Sequence, residues 1–359
     1  MTNIKKDVYH VIGLMSGTSL DGLDIAYCRL ECSNNTWQYD ILAASTIAYP
    51  AEWKQKLISL ETADALTFQQ AHVDYGLYLG QRVSDFIVIN NCKADFVSSH
   101  GHTIFHQPDK KLTVQIGSGP AIASRCKLPV VSDFRSLDVL LGGQGAPLVP
   151  VGDMLLFNDY EYCLNLGGFS NVSYQHQGER IAYDICPVNI VMNAICQNMG
   201  MEYDDQGLLA RQGMLSHYFL NELNQLAYYK QTPNTPKSLG KEWVVQNIFP
   251  LIDRYEMENS DLLHTYCHHI ATQTAKALNP LPKGKVLATG GGVYNTFLME
   301  CIQQQTQHTI VIPPKNLIEY KEALVFAFLG VLRMRLQPNC LKSVTGAYRD
   351  NCGGSVVGF

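Results

Sequence analysis

Two apolar runs, Val8–Met15 and Leu23–Leu30, open the chain on either side of a turn crowded with glycine, hydroxyl and carboxylate residues. Val8, Tyr9, Val11 and Ile12 before the turn, and Ile25, Ala26, Tyr27 and Leu30 after it, predict two buried strands joined as a hairpin. Leu66, Val73, Leu77, Val83 and Ile87 recur at helical spacing and predict a helix over Ala65–Asn91. Short strands are expected at Ala94–Ser99, Thr113–Ile116 and Leu128–Ser132. Polar residues gather at strand ends here, which is where open α/β sheets bind ligands.

The pattern restarts at Tyr160. Tyr160–Leu166 reads as a strand, Gly167–Asn171 as a tight turn, Val172–His176 as the returning strand and Arg180–Ile185 as a third. Ile190, Val191, Ala194, Ile195 and Met199 share one stripe, which predicts a helix over Pro187–Met199, beginning just beyond Asp184. A helix over Asp261–Asn279, a strand at Lys285–Thr289, the turn Gly290-Gly291-Gly292 and a helix through Phe297, Leu298, Cys301 and Ile302 follow. Ala323–Leu336 is apolar nearly all round and predicts a buried helix that ties two lobes together. Strands leading and helices following define an α/β class, and the two strand–glycine turn–strand openings suggest two lobes of similar construction.

Size agrees with two lobes, because 359 residues exceed one typical core. A 46% hydrophobic share with 16% charged residues leaves no room for extended disorder. The net charge of −5, with no Lys or Arg run longer than two, argues against a nucleic-acid partner. No apolar signal core opens the chain and no run of 18 uncharged apolar residues occurs, so a cytoplasmic protein with no membrane partner is expected. The eleven cysteines contain no C-x-x-C pair and read as reduced core thiols.

The first turn suits an anion: small residues bring backbone N–H groups close, and Ser16, Thr18 and Ser19 add hydroxyls. It is not a P-loop, since it has no lysine and a strand follows it. An ordinary hairpin turn rich in Gly and Asp is the competing reading. Together the turns Ser16–Gly22, Gly167–Asn171 and Gly290–Gly292 fit a nucleotide held between lobes. The first two would clamp phosphates, and the third would admit adenine or ribose to the backbone.

Gly-Leu-Met-Ser-Gly-Thr-Ser-Leu-Asp-Gly-Leu-Asp (13–24) resembles the opening signature of the anhydro-N-acetylmuramic acid kinases, members of the sugar-kinase, actin and heat-shock ATPase superfamily. The resemblance continues through Ser99-His100-Gly101-His102-Thr103, His106-x-Pro108, Asp133-Phe134-Arg135 and residues 142–150. It extends to Asn165-Leu166-Gly167-Gly168 with Asn171, Pro236-Lys237-Ser238, Gly290-Gly291-Gly292 with Asn295, and Glu322-Ala323. It implies two RNase H-like, actin-like ATPase lobes with an interlobe nucleotide and sugar cleft, ATP with Mg2+, a homodimer and a role in peptidoglycan recycling. The lobes are expected at 1–135 and 136–359, with room for the C-terminal segment to pack back on the first. The implied reaction opens the ring of 1,6-anhydro-N-acetylmuramic acid with water while the freed 6-oxygen takes the γ-phosphoryl of ATP.

Carried over by the same resemblance, ATP contacts fall on Gly17, Thr18, Ser19, Leu20, Asp21, Gly22, Leu23 and Asp24 of the first turn. Others fall on Gly167, Gly168 and Asn171 of the second, and on Gly290, Gly291, Gly292 and Asn295 of the third. Sugar contacts fall on His100, His102, Asp133, Arg135 and Glu322. Asp184 matches the catalytic aspartate; a helix N-terminus facing it would keep it ionised to accept water's proton. The alternative is a helix-capping aspartate with no catalytic duty.

The family usually reads Asp-Thr-Gly-Pro-Gly-Asn where this chain has Asp184-Ile185-Cys186-Pro187-Val188-Asn189. Valine at 188 bars a positive φ and adds bulk where backbone would approach phosphate, which opens a change of nucleotide affinity or substrate. Leu14 and Met15 stand where sugar kinases carry a magnesium aspartate, so Asp21 or Asp24 would bind the metal through water, or cap the turn. Arg135 would pair with the lactyl carboxylate of the sugar or with Asp133 or Asp138. Glu322 would bond a sugar hydroxyl or merely favour the helix dipole. His100, His102 and His106 read as sugar-pocket lining in preference to a zinc site, which would need more ligands. Rival functions are a kinase for another sugar without ring opening, and a non-catalytic ATP-dependent binding protein of the same fold.

Overall fold

The computed structural model describes residues 6–17, 20–230 and 237–358. In chain order the strands are β1 (Val8–Ser16), β2 (Gly22–Ser33), β3 (Thr36–Ala48), β4 (Phe96–Ser99), β5 (His102–Gln107), β6 (Leu112–Ile116), β7 (Val130–Ser132), β8 (Tyr162–Leu166), β9 (Phe169–His176), β10 (Glu179–Pro187), β11 (Lys285–Thr289), β12 (Thr309–Val311) and β13 (Ser355–Val357). Contacts divide the chain into two compact units, one within Met1–Phe157 and Tyr320–Phe359, the other within Asn158–Glu319.

In the first unit the sheet order is β13-β7-β4-β1-β2-β3. β1, β2 and β3 form an antiparallel meander, while β4 runs parallel to β1 and β7 parallel to β4. Ile12, Leu14, Leu23 and Ile25 pack with Tyr75, Leu79 and Val83 of the helix Ala65–Asn90, which matches the expected span. β3 was not foreseen. Asn34 and Asn35, at φ 50° and 62°, make its two-residue hairpin turn, and a bulge opposite Tyr27/Cys28 interrupts its alternation.

The opposite face of β1 meets the helix Lys315–Met334, which begins before the expected Ala323 and is broken at Tyr320 (φ −114°, ψ 15°). The approach is close enough that a Cβ on Gly13 would lie 2.0 Å from the Ala323 carbonyl oxygen, and one on Gly330 2.6 Å from Ser98 Oγ. Ser98 Oγ donates to the Phe326 carbonyl at 2.5 Å, fastening the helix to β4.

The second unit repeats the plan. Its order, β10-β9-β8-β11-β12, has β8, β9 and β10 antiparallel and β11 and β12 parallel to β8. Matched to β3-β2-β1-β4-β7, this is the same RNase H-like arrangement twice, as the resemblance implied. Leu164, Val172 and Tyr183 join a core with Val191 and Ile195 of the helix Asn189–Gln197 and Ile270 of the helix Asn259–Leu278.

Three boundaries differ from expectation. The units do not part at residue 135, because residues 136–157 belong with the first; residues 320–359 belong there as well, where the C-terminal segment had room to pack. Buried Asp138 there accepts from Thr345 Oγ1 (2.9 Å) and Asn351 Nδ2 (2.7 Å), and β13 pairs with β7. The second glycine turn is only Gly167-Gly168, since β9 already starts at Phe169. No helix starts just past Asp184: β10 continues to Pro187 and the helix begins at Asn189. Among the described residues all eleven cysteines are free thiols, and no helix is long and apolar enough to cross a membrane.

Gly13→Ala forces the helix off β1 and should lower stability by about 1–3 kcal/mol or more. Gly168→Ala, whose Cβ meets nothing within 4 Å, should change it by less than about 0.5 kcal/mol. Denaturation midpoints of the two variants check the contrast.

Candidate active site

Thr18 and Ser19 of the first turn lie outside the described residues. Around them, Leu20 sits at φ 60° and its N–H donates to the Gly17 carbonyl at 3.3 Å, while Asp21 is exposed. A Cβ on Gly22 would fall 2.7 Å from the Ile47 carbonyl oxygen, and Leu23 is buried in the core, so these two anchor the turn by packing. Asp24 accepts from Thr46 Oγ1 at 2.6 Å. Beneath the turn Tyr49 donates to Ser16 Oγ (2.7 Å), and Ser16 Oγ bonds His102 Nδ1 (2.8 Å). Tyr75 and Tyr49 hydroxyls are 2.5 Å apart. Because Tyr49 donates to Ser16, Tyr75 donates to Tyr49, and the chain Tyr75→Tyr49→Ser16 ends against His102 Nδ1. Burial holds His102 down at about 4, so its ring is neutral and free to accept.

His100 is anchored by its N–H to the Leu14 carbonyl (3.0 Å). Arg135 donates to His100 Nε2 from Nε (3.2 Å) and Nη2 (2.9 Å), and to the Gly145 carbonyl from Nη1 (2.6 Å). An accepting Nε2 places the imidazole proton on Nδ1, and burial with the nearby Arg135 charge holds His100 well below its usual range. Arg135 itself is lowered to about 10 by burial. The pairing offered for it with Asp133 or Asp138 is not formed. Asp133 accepts from Ser136 Oγ (2.5 Å), and Asp138 Oδ2 accepts from Gly145 N–H (2.8 Å). Glu322 is exposed, yet surrounding protein raises its carboxyl, with Asp24 adding to the rise and Lys321 and Arg135 opposing it. Asp24 and Arg135 each lie within electrostatic reach of Glu322. His106 bonds Thr113 Oγ1 at 3.1 Å, apart from the other two histidines. Among the described residues no cluster of three or more His, Cys, Asp or Glu side chains could hold a metal.

In the second unit, the register places Thr289, Asn165, Asn171 and Asp184 opposite one another across β11, β8, β9 and β10. Side chains in register share a face, so one polar row crosses the sheet beside its glycine turns. Gly168's carbonyl accepts from Val188 N–H (2.8 Å) and Gly167's from Asn189 N–H (3.2 Å), so the turn is tied to the following helix. Gly290, at φ 85°, and Gly292 allow close approach to β8: added Cβ atoms would lie 2.7 Å from Asn165 Oδ1 and 2.9 Å from Leu166 Cβ. Gly168 and Gly291 keep open faces. Asn295 caps the helix Thr296–Gln305, accepting from Leu298 N–H at 2.9 Å.

Asp184 is half-buried on β10, at a bulge between Asp184 and Cys186. Its Oδ2 accepts from Leu239 N–H at 2.8 Å, and among the described residues no protein donor reaches Oδ1. Burial outweighs that single hydrogen bond and raises the carboxyl to about 6. The expected helix-dipole stabilisation is therefore replaced by a desolvated carboxylate. Of the residues that depart from the family pattern, Cys186 and Val188 are both 0% exposed within the core, and Val188 sits at φ −127° and ψ −97°. Tyr228, Leu239 and Tyr49 escaped the sequence reading. Leu239 contributes only a backbone N–H, which no side-chain pattern reveals.

Two RNase H-like units, each with a glycine turn between its first two strands, define the sugar-kinase and actin-like ATPase fold class. The chain belongs to the anhydro-N-acetylmuramic acid kinase family, whose model matches residues 9–358. A relative named anhydro-N-acetylmuramic acid kinase from Vibrio vulnificus (strain CMCP6) is 33% identical, with 96% of each chain covered. One of the same name from Vibrio cholerae serotype O1 is 33% identical over 94% of this chain and 95% of its own. Among solved structures, (R)-2-hydroxyglutaryl-CoA dehydratase component A of Acidaminococcus fermentans matches at 11% identity and TM-score 0.44, covering 89% of this chain and 96% of that one.

Asp138→Ala strands Gly145 N–H and Asn351 Nδ2 in a buried position and leaves Thr345 Oγ1 only its longer bond to the Leu341 carbonyl (3.3 Å). A loss of at least about 2 kcal/mol in chemical denaturation is expected.

Proposed function

We propose that this chain is an ATP-dependent kinase that converts 1,6-anhydro-N-acetylmuramic acid into N-acetylmuramic acid 6-phosphate, a peptidoglycan-recycling step. Family membership supports the reaction, and the observation that carries its chemistry is the desolvated Asp184, with Oδ2 tied to Leu239 N–H and Oδ1 reached by no donor among the described residues. Asp184 takes a proton from water as the water oxygen bonds the anomeric carbon. The bond from that carbon to the 6-oxygen breaks, its electron pair stays on the 6-oxygen, and that oxygen bonds the γ-phosphorus as ADP departs. Glycoside hydrolysis ordinarily needs a second carboxylic acid to protonate the leaving oxygen. Phosphoryl capture makes that acid unnecessary, so one base suffices.

Each unit brings its own groups to this reading. The first supplies the turn around Gly17 and Asp21 for phosphates, with Arg135, His100 and Glu322 for the sugar. The second supplies Gly168 and Gly291, whose faces are open, and the base. Mg2+ would spread the charge of the transferring phosphoryl group. It keeps several waters and needs few carboxylates, which suits exposed Asp21 and neighbouring Asp24. A cytoplasmic homodimer completes the reading.

Incubation with ATP, magnesium and the anhydro sugar in 18O-labelled water should give a ring-opened 6-phosphate labelled at the anomeric position; an unlabelled or unopened product overturns the proposal. Asp184→Asn should lose about 10²–10⁴-fold in turnover. A base works when deprotonated, so the rate should climb as pH rises through about 6. A raised folded-state value means Asp184 favours folding only at acid pH and loses that contribution above about 6. The asparagine variant should therefore melt no lower than wild type at neutral pH, which separates lost chemistry from lost structure.

A further inference from the structure

β10 is the edge strand of its sheet, so the outward N–H and carbonyl of Asp184 have no neighbouring strand to pair with. Both are nevertheless satisfied. Asp184 N–H donates to the Lys237 carbonyl (3.0 Å), and Tyr228 OH donates to the Asp184 carbonyl (2.6 Å). Two residues further along the same segment, Leu239 N–H reaches Oδ2. Three hydrogen bonds from two separate stretches thus converge on one residue of the edge strand.

We propose that Tyr228 and the segment Lys237–Leu239 form a holder that orients the Asp184 carboxylate and sets the pH at which it works. The inference rests on Asp184 being the general base. Lys237 fastens the holder: its ammonium lies 4.5 Å from the Tyr228 ring centre and 5.6 Å from that of Tyr183, and it makes no ion pair among the described residues. A cation over two aromatic faces binds the segment to the rings without neutralising the base. The other titratable groups around Asp184 are Tyr183 and Cys186 on β10 and Tyr228 on the adjoining turn. Burial raises all three, so they stay uncharged, and the Lys237 charge lies close enough to act on Cys186. With Oδ2 engaged by Leu239, Oδ1 meets no protein donor among the described residues. Tyr228 and Lys237–Leu239 are positioning residues, acting through Asp184.

The test is the pH profile of turnover for the full-length enzyme with ATP and the anhydro sugar. Leu239→Pro deletes the N–H, whereas Leu239→Ala keeps it. The proline variant should move the acid limb upward by about one pH unit, the size expected for one hydrogen bond to a charged group, and the alanine variant should not. A proline profile that superimposes on wild type overturns the holder. If circular dichroism shows that Leu239→Pro does not fold, Tyr228→Phe decides. A fall in kcat of about tenfold or more at unchanged KM for ATP supports the holder, and unchanged kcat overturns it. Near-wild-type turnover in Asp184→Asn would instead remove the general-base reading itself.

Discussion

The contact of Gly13 with the Ala323 carbonyl governs the first unit. A strand and a helix can approach this closely only where a side chain is missing, and β1 lacks one at the point where the helix crosses. The consequences spread both ways along the chain. Three residues beyond Gly13, β1 ends at Ser16 and the first glycine turn begins. Next to Ala323 stands Glu322, under the influence of Asp24 and Arg135. One missing methyl group therefore sets the helix depth that puts a carboxylate beside the turn.

The second unit reaches its site by another route. Its polar row is a matter of register: Asn165, Asn171 and Asp184 align because three antiparallel strands pair without slippage up to the bulge after Asp184. A slip of one residue would turn the row into the core. The neighbours Leu164, Val172 and Tyr183 prevent it, since their burial fixes which face is inward. Hydrophobic packing on one side of the sheet thus decides the polar chemistry on the other.

Much of the architecture was legible in the residues. The hairpin β1–β2, the helix Ala65–Asn90 and β11 follow from periodicity and glycine turns, and the motifs carried the family. Legibility stopped where tertiary contacts overrode local signals. Pro187 looked like the first residue of a helix, yet pairing with Phe169 extends β10 through it. The lobe boundary was misplaced because Asp138's partners lie over 200 positions away, at Thr345 and Asn351. Asp184 was matched to the family's aspartate by its motif, but its electrostatic setting depends on Leu239 and on burial, neither of which a motif encodes.

The hydroxyl relay beneath the first turn has a consequence for how the molecule responds to acidity. His102 protonates only near 4, and burial moves the phenols of Tyr49 and Tyr75 to the alkaline side of their usual range. Every member is therefore electrically silent across the physiological interval. Beneath the turn that would greet a polyanion lies a neutral floor, indifferent to changes in the surrounding medium that switch the carboxylate on β10 on and off.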